Sequence, residues 1–539
     1  MSLFHRPFLN DISTDQAKEK PSGWKRFLIE TGRFCFVLLC ALLTAVLFKL
    51  SYPKPSYSLL AWLALAPFTV ALVRCQQLSS SFWYSWLTGI FVYSGLYYWI
   101  FITCWQGGGL SVALSVAAWL GLSALMALQF AFFGVSCFYL KRLHGLFPLL
   151  AAMGWVALEW GHEVLASYVL GFPWFTLAYS QWNLPQVIQI ASWTGAAGVS
   201  FVVAFTGLSI GYAFATPSLR KGLFHLLLSL LTFLMTYGYG YWYFRHDTSR
   251  TLLRLQAAIV QPNIDQYKKW SLEFEEEIHN TLSELNTRAA ATEPMLVLWP
   301  ESVTPGPIQE EPYLDWLKQG LGKHNAWQLV GSNREEEKKQ YVSAVLFSPT
   351  GEMTAVYDKT QLVPFGEFIP FEKWVREIFP QVQVLGELGG FSAGKWEQPL
   401  LAMDQIAFGS TICYESVFGR LWRSQAHAGA RFFVNLTNDA WFFDTDAPYQ
   451  HLAASVLRAV ELRRPVLRAA NTGISAVISS RGEILSQAPL NTQAVLTAEV
   501  PLPLGQDFSF YVRWGEWLSW LCAAFYLTIL ISVMAFVYE

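Results

Sequence analysis

A thiol, a carboxylate and an amine each stand at the end of an apolar run in this sequence. Cys413 closes the run Phe408-Gly-Ser-Thr-Ile412, Glu301 follows Leu296-Val-Leu-Trp-Pro300, and Lys359 follows Thr354-Ala-Val-Tyr-Asp358. Runs this short and rich in β-branched or aromatic residues predict buried strands. Polar groups at three strand ends can meet at one edge of a sheet. Together they offer acyl-transfer chemistry: a thiol nucleophile, a carboxylate to take its proton and an ammonium to steady an oxyanion. A helix-compatible segment, 416–424, begins just after Cys413. A helix N-terminus and a nearby cation both favour a thiolate, so a lowered thiol pKa is expected. Alone, the cysteine reads as a core residue and the other two as solvated charges. Their company is what points to a reaction.

The surrounding elements have to position these groups. Strands are predicted at 253–261, 295–299, 327–332, 341–348, 353–358, 405–413, 431–436, 466–470, 474–479 and 494–500. Helices are predicted at 272–291, 312–323, 416–428 and 448–463. Ser348-Pro-Thr-Gly351 and Ser480-Arg-Gly482 mark hairpin turns. Strands alternating with amphipathic helices give an α/β domain over 245–510, with mixed sheets covered by helices. From Gln361 to Gly394 no period is clear. That stretch carries Phe365, Phe368, Phe371, Trp374, Phe379, Leu385 and Phe391. It reads either as a packed local helix over 371–379 or as an aromatic lid that dips into a bilayer.

Outside that domain the chain is apolar. Of its 539 residues, 53% are hydrophobic and only 14% are charged, well under the usual quarter, which indicates a membrane protein. Apolar segments at 32–50, 56–74, 81–103, 110–140, 146–168, 187–215, 222–244 and 517–538 are each long enough for a core roughly 30 Å thick. The expected plan is a tail (1–30), seven helices (31–244), the α/β domain (245–510) and an eighth helix (511–539). Positive charge in the tail, at Arg74, at Lys141 and Arg142, and at Arg220 and Lys221 places both termini in the cytoplasm and residues 245–510 outside. Lys49 and Lys54 are exceptions to that pattern, lying on the outer side. A net charge of −2 gives no basic surface for nucleic acid. Six of the seven cysteines (35, 40, 75, 104, 137 and 522) fall in apolar runs, so Cys413 has no disulfide partner in the α/β domain. No Cys/His cluster has zinc spacing, and no metal or cofactor is expected.

Trp299-Pro-Glu301, Tyr357-Asp-Lys359-Thr-Gln-Leu-Val-Pro-Phe-Gly-Glu367 and Ile412-Cys-Tyr-Glu415 resemble the Glu-Lys-Cys signature of the nitrilase superfamily. More narrowly, they are similar to the apolipoprotein N-acyltransferase family. The likeness extends to Gly171-Phe-Pro-Trp174, Tyr179-Ser-Gln181, Gln261-Pro-Asn263, Asn435-Leu-Thr-Asn-Asp-Ala-Trp441 and Arg468-Ala-Ala-Asn-Thr-Gly473. It implies an αββα sandwich in the outer domain of a bacterial inner-membrane enzyme. It also implies a thioester route from a phospholipid, typically the sn-1 chain of phosphatidylethanolamine, to the α-amino group of a diacylglyceryl apolipoprotein. Glu301, Lys359 and Cys413 are then catalytic, and Glu367, Tyr414 and Glu415 support them. Trp270, Trp174 and Asn438 are candidates for substrate contact. A monomer is expected. Rival readings are a membrane-tethered amidase and a non-catalytic scaffold. Three further expectations are bland. Glu159, His162 and Glu163 read as hydrated residues at the outer interface. His451, Arg458, Glu461 and Arg463 read as a solvated or ion-paired helix face. Asn435, Asn438 and Asp439 either support the site or cap a turn.

Overall fold

The computed structural model describes residues 23–168, 171–246, 251–269, 271–304, 306–310, 313–315, 317, 325–378, 390–503 and 508–538. Its apolar part is built from helices α1 (Gly23–Ser51), α2 (Ala61–Arg74), α3 (Leu78–Leu96), α4 (Val112–Met126), α5 (Leu128–Leu140), α6 (Phe147–Ser167), α7 (Ala196–Ala215) and α8 (Leu219–His246). The last long helix of the chain, Trp517–Tyr538, packs on α6 and α5. By length and composition, five helices among the described residues can cross a membrane. A sixth is the pair Leu78–Leu96 and Tyr98–Gly107, bent by 58°, if it forms one span. Ser58–Arg74 is apolar but shorter. The sixth predicted segment, 187–215, is interrupted. Gly195 (φ 66°) ends two short helical turns, and α7 starts at Ala196. A positive φ favours glycine, and that is where the break falls.

Two six-stranded sheets follow. The first runs β12-β1-β2-β3-β4-β5, with β1 at Thr251–Gln261, β2 at Leu296–Trp299, β3 at Trp327–Glu336, β4 at Lys339–Phe347, β5 at Met353–Asp358 and β12 at Ala494–Pro503. The second runs β11-β10-β9-β8-β7-β6, with β6 at Leu401–Met403, β7 at Ile406–Ile412, β8 at Phe433–Thr437, β9 at Val466–Ala470, β10 at Ala476–Ile478 and β11 at Ile484–Gln487. Alternate residues such as Leu255, Ala257 and Ile259 of β1 face Leu436, Leu467 and Val477 across the sandwich. Their neighbours Ala258 and Val260 pack on helix α9 (Glu275–Ala290) through Ile278, Leu282 and Leu285. Both faces of these strands are therefore buried, which explains their near-continuous apolar runs.

Helices α10 (Gly419–His427) and α11 (Ala447–Leu462) cover the second sheet, and their core is continuous with that of the membrane helices. Every residue of α11 except Tyr449 is buried. The order of layers is thus α9, sheet, sheet, then α10 and α11, with the apolar bundle beyond. Two strands escaped the sequence reading, β6 and β11. Strands β3 and β4 run longer than expected and turn through Glu337 and Lys338, both at positive φ (49° and 64°). Most of the helix predicted at 312–323, and Phe379 and Leu385 of the 361–394 stretch, lie outside the described residues.

Candidate active site

The parallel strands β7, β8 and β9 end on one edge of the second sheet, and β2 and β5 of the first sheet end opposite it. Glu301, Lys359 and Cys413 sit at these ends. Lys359 is fully buried, its Nζ 2.9 Å from Glu301 Oε1 and 2.5 Å from Glu367 Oε1. Glu301 Oε2 accepts the backbone N–H of Asn438 at 2.9 Å, and Glu367 Oε2 accepts that of Val363 at 2.8 Å. Burial opposes the charge on Lys359, but Glu301 and Glu367 outweigh it and hold the ammonium well above the ordinary lysine range. Burial raises Glu367 in turn, against the pull of Lys359. One cation thus serves two carboxylates.

Cys413 stands at φ 49°, the left-handed region that a side chain enters only at a cost. Glu301 and Lys359 are both close enough to act electrostatically on its thiol. Burial pushes its pKa up, the charge of Glu301 adds to this, and Lys359 only partly opposes them. The expected lowering by a helix dipole is therefore corrected. Residues 413–417 form a 3₁₀ turn, and α10 starts only at Gly419, so the α-helix that follows Cys413 does not begin at the sulfur.

Glu415 ties two strand ends together. Its Oε2 accepts from the Ile412 N–H at 2.8 Å, and its Oε1 from the Thr360 N–H at 2.6 Å, Thr360 Oγ1 at 2.7 Å and the Gln361 N–H at 3.0 Å. Tyr357 Oη donates to it as well, at 3.0 Å. The buried carboxylate so links the chain leaving Lys359 to the chain entering Cys413.

A second polar group lies beneath Cys413. Thr411, Asn435 and Arg468 are side by side in the register of β7, β8 and β9. Arg468 Nη1 donates to Asn435 Oδ1 at 2.6 Å and Nη2 to Asp439 Oδ2 at 2.8 Å. His451 Nδ1 lies 2.8 Å from Asp439 Oδ1, and Nε2 lies 2.9 Å from the Cys413 carbonyl oxygen. That oxygen only accepts, so Nε2 carries the proton. Burial would raise Asp439, but Arg468 and His451 overcome it and lower its pKa. The sequence reading missed this role of His451. Of the two expectations for the α11 face, the ion-paired one fits: His451, Arg458 and Glu461 are buried and not solvated, and Arg458 pairs with Glu461 at 3.0 Å.

The remaining candidates are placed as follows. Asn438 spends its side chain on Gln266 (2.9 Å) and Asn471 (3.1 Å). Trp174 is buried, stacks on Tyr414 with 14° between the rings, and donates to Gln450 at 3.1 Å. Glu159 and His162 are not simply hydrated. They accept from the Leu177 and Phe172 N–H groups and so fix the loop that carries Trp174. Glu163 is half-buried beside them. Trp270 lies outside the described residues. Its neighbour Lys269, passed over in the sequence, is buried with Nζ 3.5 Å from the Glu301 carbonyl oxygen. Burial lowers its pKa to about 8, against the pull of Glu301. Of the 361–394 aromatics, Phe365, Phe371 and Trp374 are exposed, Trp374 by 73%.

Two family descriptions match the chain: Carbon-nitrogen hydrolase over residues 256–509, and Apolipoprotein N-acyltransferase N-terminal domain over residues 44–209. The first match spans nearly all of both sheets, and the expected αββα sandwich is the arrangement found. The apolipoprotein N-acyltransferase of Geobacter metallireducens is 37% identical over 90% of this chain and 93% of its own length. That of Allorhizobium ampelinum is 32% identical over 79% of this chain and 81% of its own. A solved amidase from Nesterenkonia sp. is 18% identical, with a TM-score of 0.34 over 46% of this chain and 90% of its own.

Proposed function

The chain belongs to the apolipoprotein N-acyltransferase family, and from that premise we propose that it moves a fatty acyl chain from a phospholipid to an apolipoprotein through Cys413. The expected donor is the sn-1 ester of phosphatidylethanolamine. The acceptor is the α-amino group of an N-terminal S-diacylglyceryl cysteine. In the first half-reaction Glu301 takes the thiol proton as sulfur attacks the ester carbonyl. Lys359 donates to the oxyanion. The intermediate collapses to a thioester, and the departing lysophospholipid oxygen takes the proton back from Glu301. In the second half-reaction the amine attacks the thioester and gives its proton to Glu301. The thiolate leaves and is reprotonated, and an amide remains. Splitting ester-to-amide exchange in this way replaces one hard step with two easier ones.

The observation that carries the reading is the buried Glu301–Lys359 pair beside a thiol of raised pKa. A raised thiol under the electrostatic influence of a carboxylate suits general-base attack, and burial keeps water from the thioester. Glu367, Tyr414 and Glu415 position these groups, and Asn438 and Trp174 act as supports rather than substrate contacts. The mass of the intact protein after exposure to phosphatidylethanolamine tests the route. Wild type should gain one acyl group and lose it on addition of a diacylglyceryl peptide, while Cys413→Ala gains none. An unacylated wild type would end the proposal.

The proposed topology has eight spans in a bacterial inner membrane, both termini cytoplasmic and residues 245–510 periplasmic. The run Val112–Ser167 is too long for one crossing and turns at His144 (φ 40°). Dividing it there, joining the bent pair and admitting Ser58–Arg74 brings the five qualifying helices to eight. A membrane-impermeant thiol reagent should label Glu397→Cys in intact spheroplasts. Labelling only after lysis would reverse the orientation.

A further inference from the structure

Lys49 and Lys54 break the charge pattern of the sequence, and the structure brings both to one cavity of about 550 Å³. It lies where the C-terminal end of α1 meets α3, α4 and the start of α11. Asp446 enters from the α/β domain. Lys49 Nζ is paired with its carboxylate and lies 4.5 Å from the centre of the Tyr98 ring. Tyr98 Oη donates to Asp446 Oδ1 at 3.1 Å. Lys54 is exposed, with its ammonium 4.4 Å from the centre of the Tyr449 ring, and makes no ion pair among the described residues. Asp446 thus answers Lys49, Lys54 adds a second, exposed ammonium at the rim, and Asp444 is a further carboxylate close enough to act on Tyr98.

The other wall is apolar. Phe91 and Gly95 of α3 and Trp119 of α4 form it, and the Trp119 N–H is already given to the Ser94 carbonyl oxygen at 3.0 Å. Charge at one end and ring faces at the other suit an amphiphile. The cavity also has a short mechanical link to the thiol. Asp446 precedes His451 by five residues, about 7.5 Å along a helix, and His451 holds the Cys413 carbonyl.

We propose that this cavity holds the phosphodiester of a glycerophospholipid, with Lys54 and Lys49 on its oxygens and the base of its chains against Phe91 and Trp119. Assigning that lipid as the acyl donor rests on the phospholipid reading above. The test uses delipidated full-length protein in detergent, with bound molecules counted by native mass spectrometry. The probes are dioleoyl phosphatidylethanolamine, dioleoylglycerol (the same chains without phosphate) and inorganic phosphate. Lys54→Glu should weaken phosphatidylethanolamine binding by about tenfold, the scale of one charge-assisted contact. Lys54→Arg should restore it, and dioleoylglycerol should bind both proteins alike. Equal phosphatidylethanolamine binding by wild type and Lys54→Glu would overturn the proposal. Displacement of the lipid by inorganic phosphate would make this a free-anion site and overturn the lipid assignment. For acylation of Cys413, the half-saturating lipid concentration should rise by the same factor in Lys54→Glu, with the maximal rate held. Lysine-dependent lipid binding without acylation of wild type would sink the donor reading and leave the cavity its ligand. Acylation with an unchanged half-saturating concentration would do the reverse.

Discussion

Cys413 lies between two buried polar groups that are built on opposite principles. On the side-chain face, Lys359 meets both Glu301 and Glu367, and burial raises Glu367. The buried Lys269 beside Glu301 is lowered in turn, so Lys269 and Glu367 on this face have their ordinary proton affinities pushed toward one another. On the backbone face, Arg468, Asp439, Asn435 and His451 pair with one another and with the Cys413 carbonyl oxygen. Asp439 is lowered, so that group keeps its charges fixed. A site that handles protons gains from such shifted groups next to the sulfur. The backbone turn that aims the sulfur needs a closed network instead, because an unpaired buried charge costs several kcal/mol.

If the two groups differ in this way, substitutions should separate activity from stability. Glu301→Gln keeps the shape and removes the base. Thioester formation, read by intact mass against time, should slow by about 10³-fold, within the usual range for a general base, with little change in Tm. Lys359→Met should slow it by about 10²-fold, the scale of one lost oxyanion donor. It should also lower Tm, since two buried carboxylates lose their cation. Asp439→Asn should invert the pattern. It leaves Arg468 uncompensated in a fully buried setting, worth about 3 kcal/mol of stability, and slows acylation by only about tenfold. Equal rate losses at Glu301 and Asp439 would erase the distinction between the two groups.

Alkylation of the thiol sharpens the comparison further. Burial and the negative charge of Glu301 raise the Cys413 pKa, and Lys359 lowers it. In wild type, iodoacetamide should therefore react slowly at neutral pH and faster only above the ordinary thiol range. Removing the negative neighbour in Glu301→Gln favours the thiolate, so the rate–pH curve should move to lower pH. Removing the positive one in Lys359→Met should move it to higher pH. Asp439 sits among the groups that raise the thiol, but its charge is already matched by Arg468. Asp439→Asn should shift the curve least. A larger shift there than in Glu301→Gln would mean that the backbone group controls the proton.

The first group was legible in the sequence and the second was not. Glu301, Lys359 and Cys413 are polar residues that end apolar strands, so a meeting at one sheet edge was expected, whereas β2 and β5 belong to one sheet and β7 to the other. Asn435, Asp439 and Arg468 appeared in recognisable motifs, but His451 had no such signal. It lies on a helix whose polar residues, Arg458 and Glu461, read as a solvated or ion-paired face. The helix is buried instead because the second sheet covers one side and the apolar bundle the other. That closure is tertiary and leaves no periodic trace. The turn at Glu337 and Lys338 was hidden for another reason: both residues hold positive φ without the Gly or Asn that usually signals it. The thiolate expectation failed on distance, since the 3₁₀ turn delays the helix to Gly419.

The exposed aromatics that follow Glu367 give the smallest expected effect. Phe371 and Trp374 are exposed by 67% and 73%, on the stretch whose Glu367 carboxylate holds Lys359. Rings exposed to this extent add little to the folded core, so Phe371→Ser and Trp374→Ser should leave Tm unchanged. If they meet lipid, they lose apolar contact only when substrate is bound. The half-saturating phospholipid concentration should then rise by a few-fold for each ring, the scale of a partly buried aromatic, with the maximal acylation rate and the alkylation curve of Cys413 unchanged. A fall in maximal rate with unchanged half-saturation would assign them to positioning Glu367 instead. The stretch would then belong with the proton-handling group and not with the lipid surface.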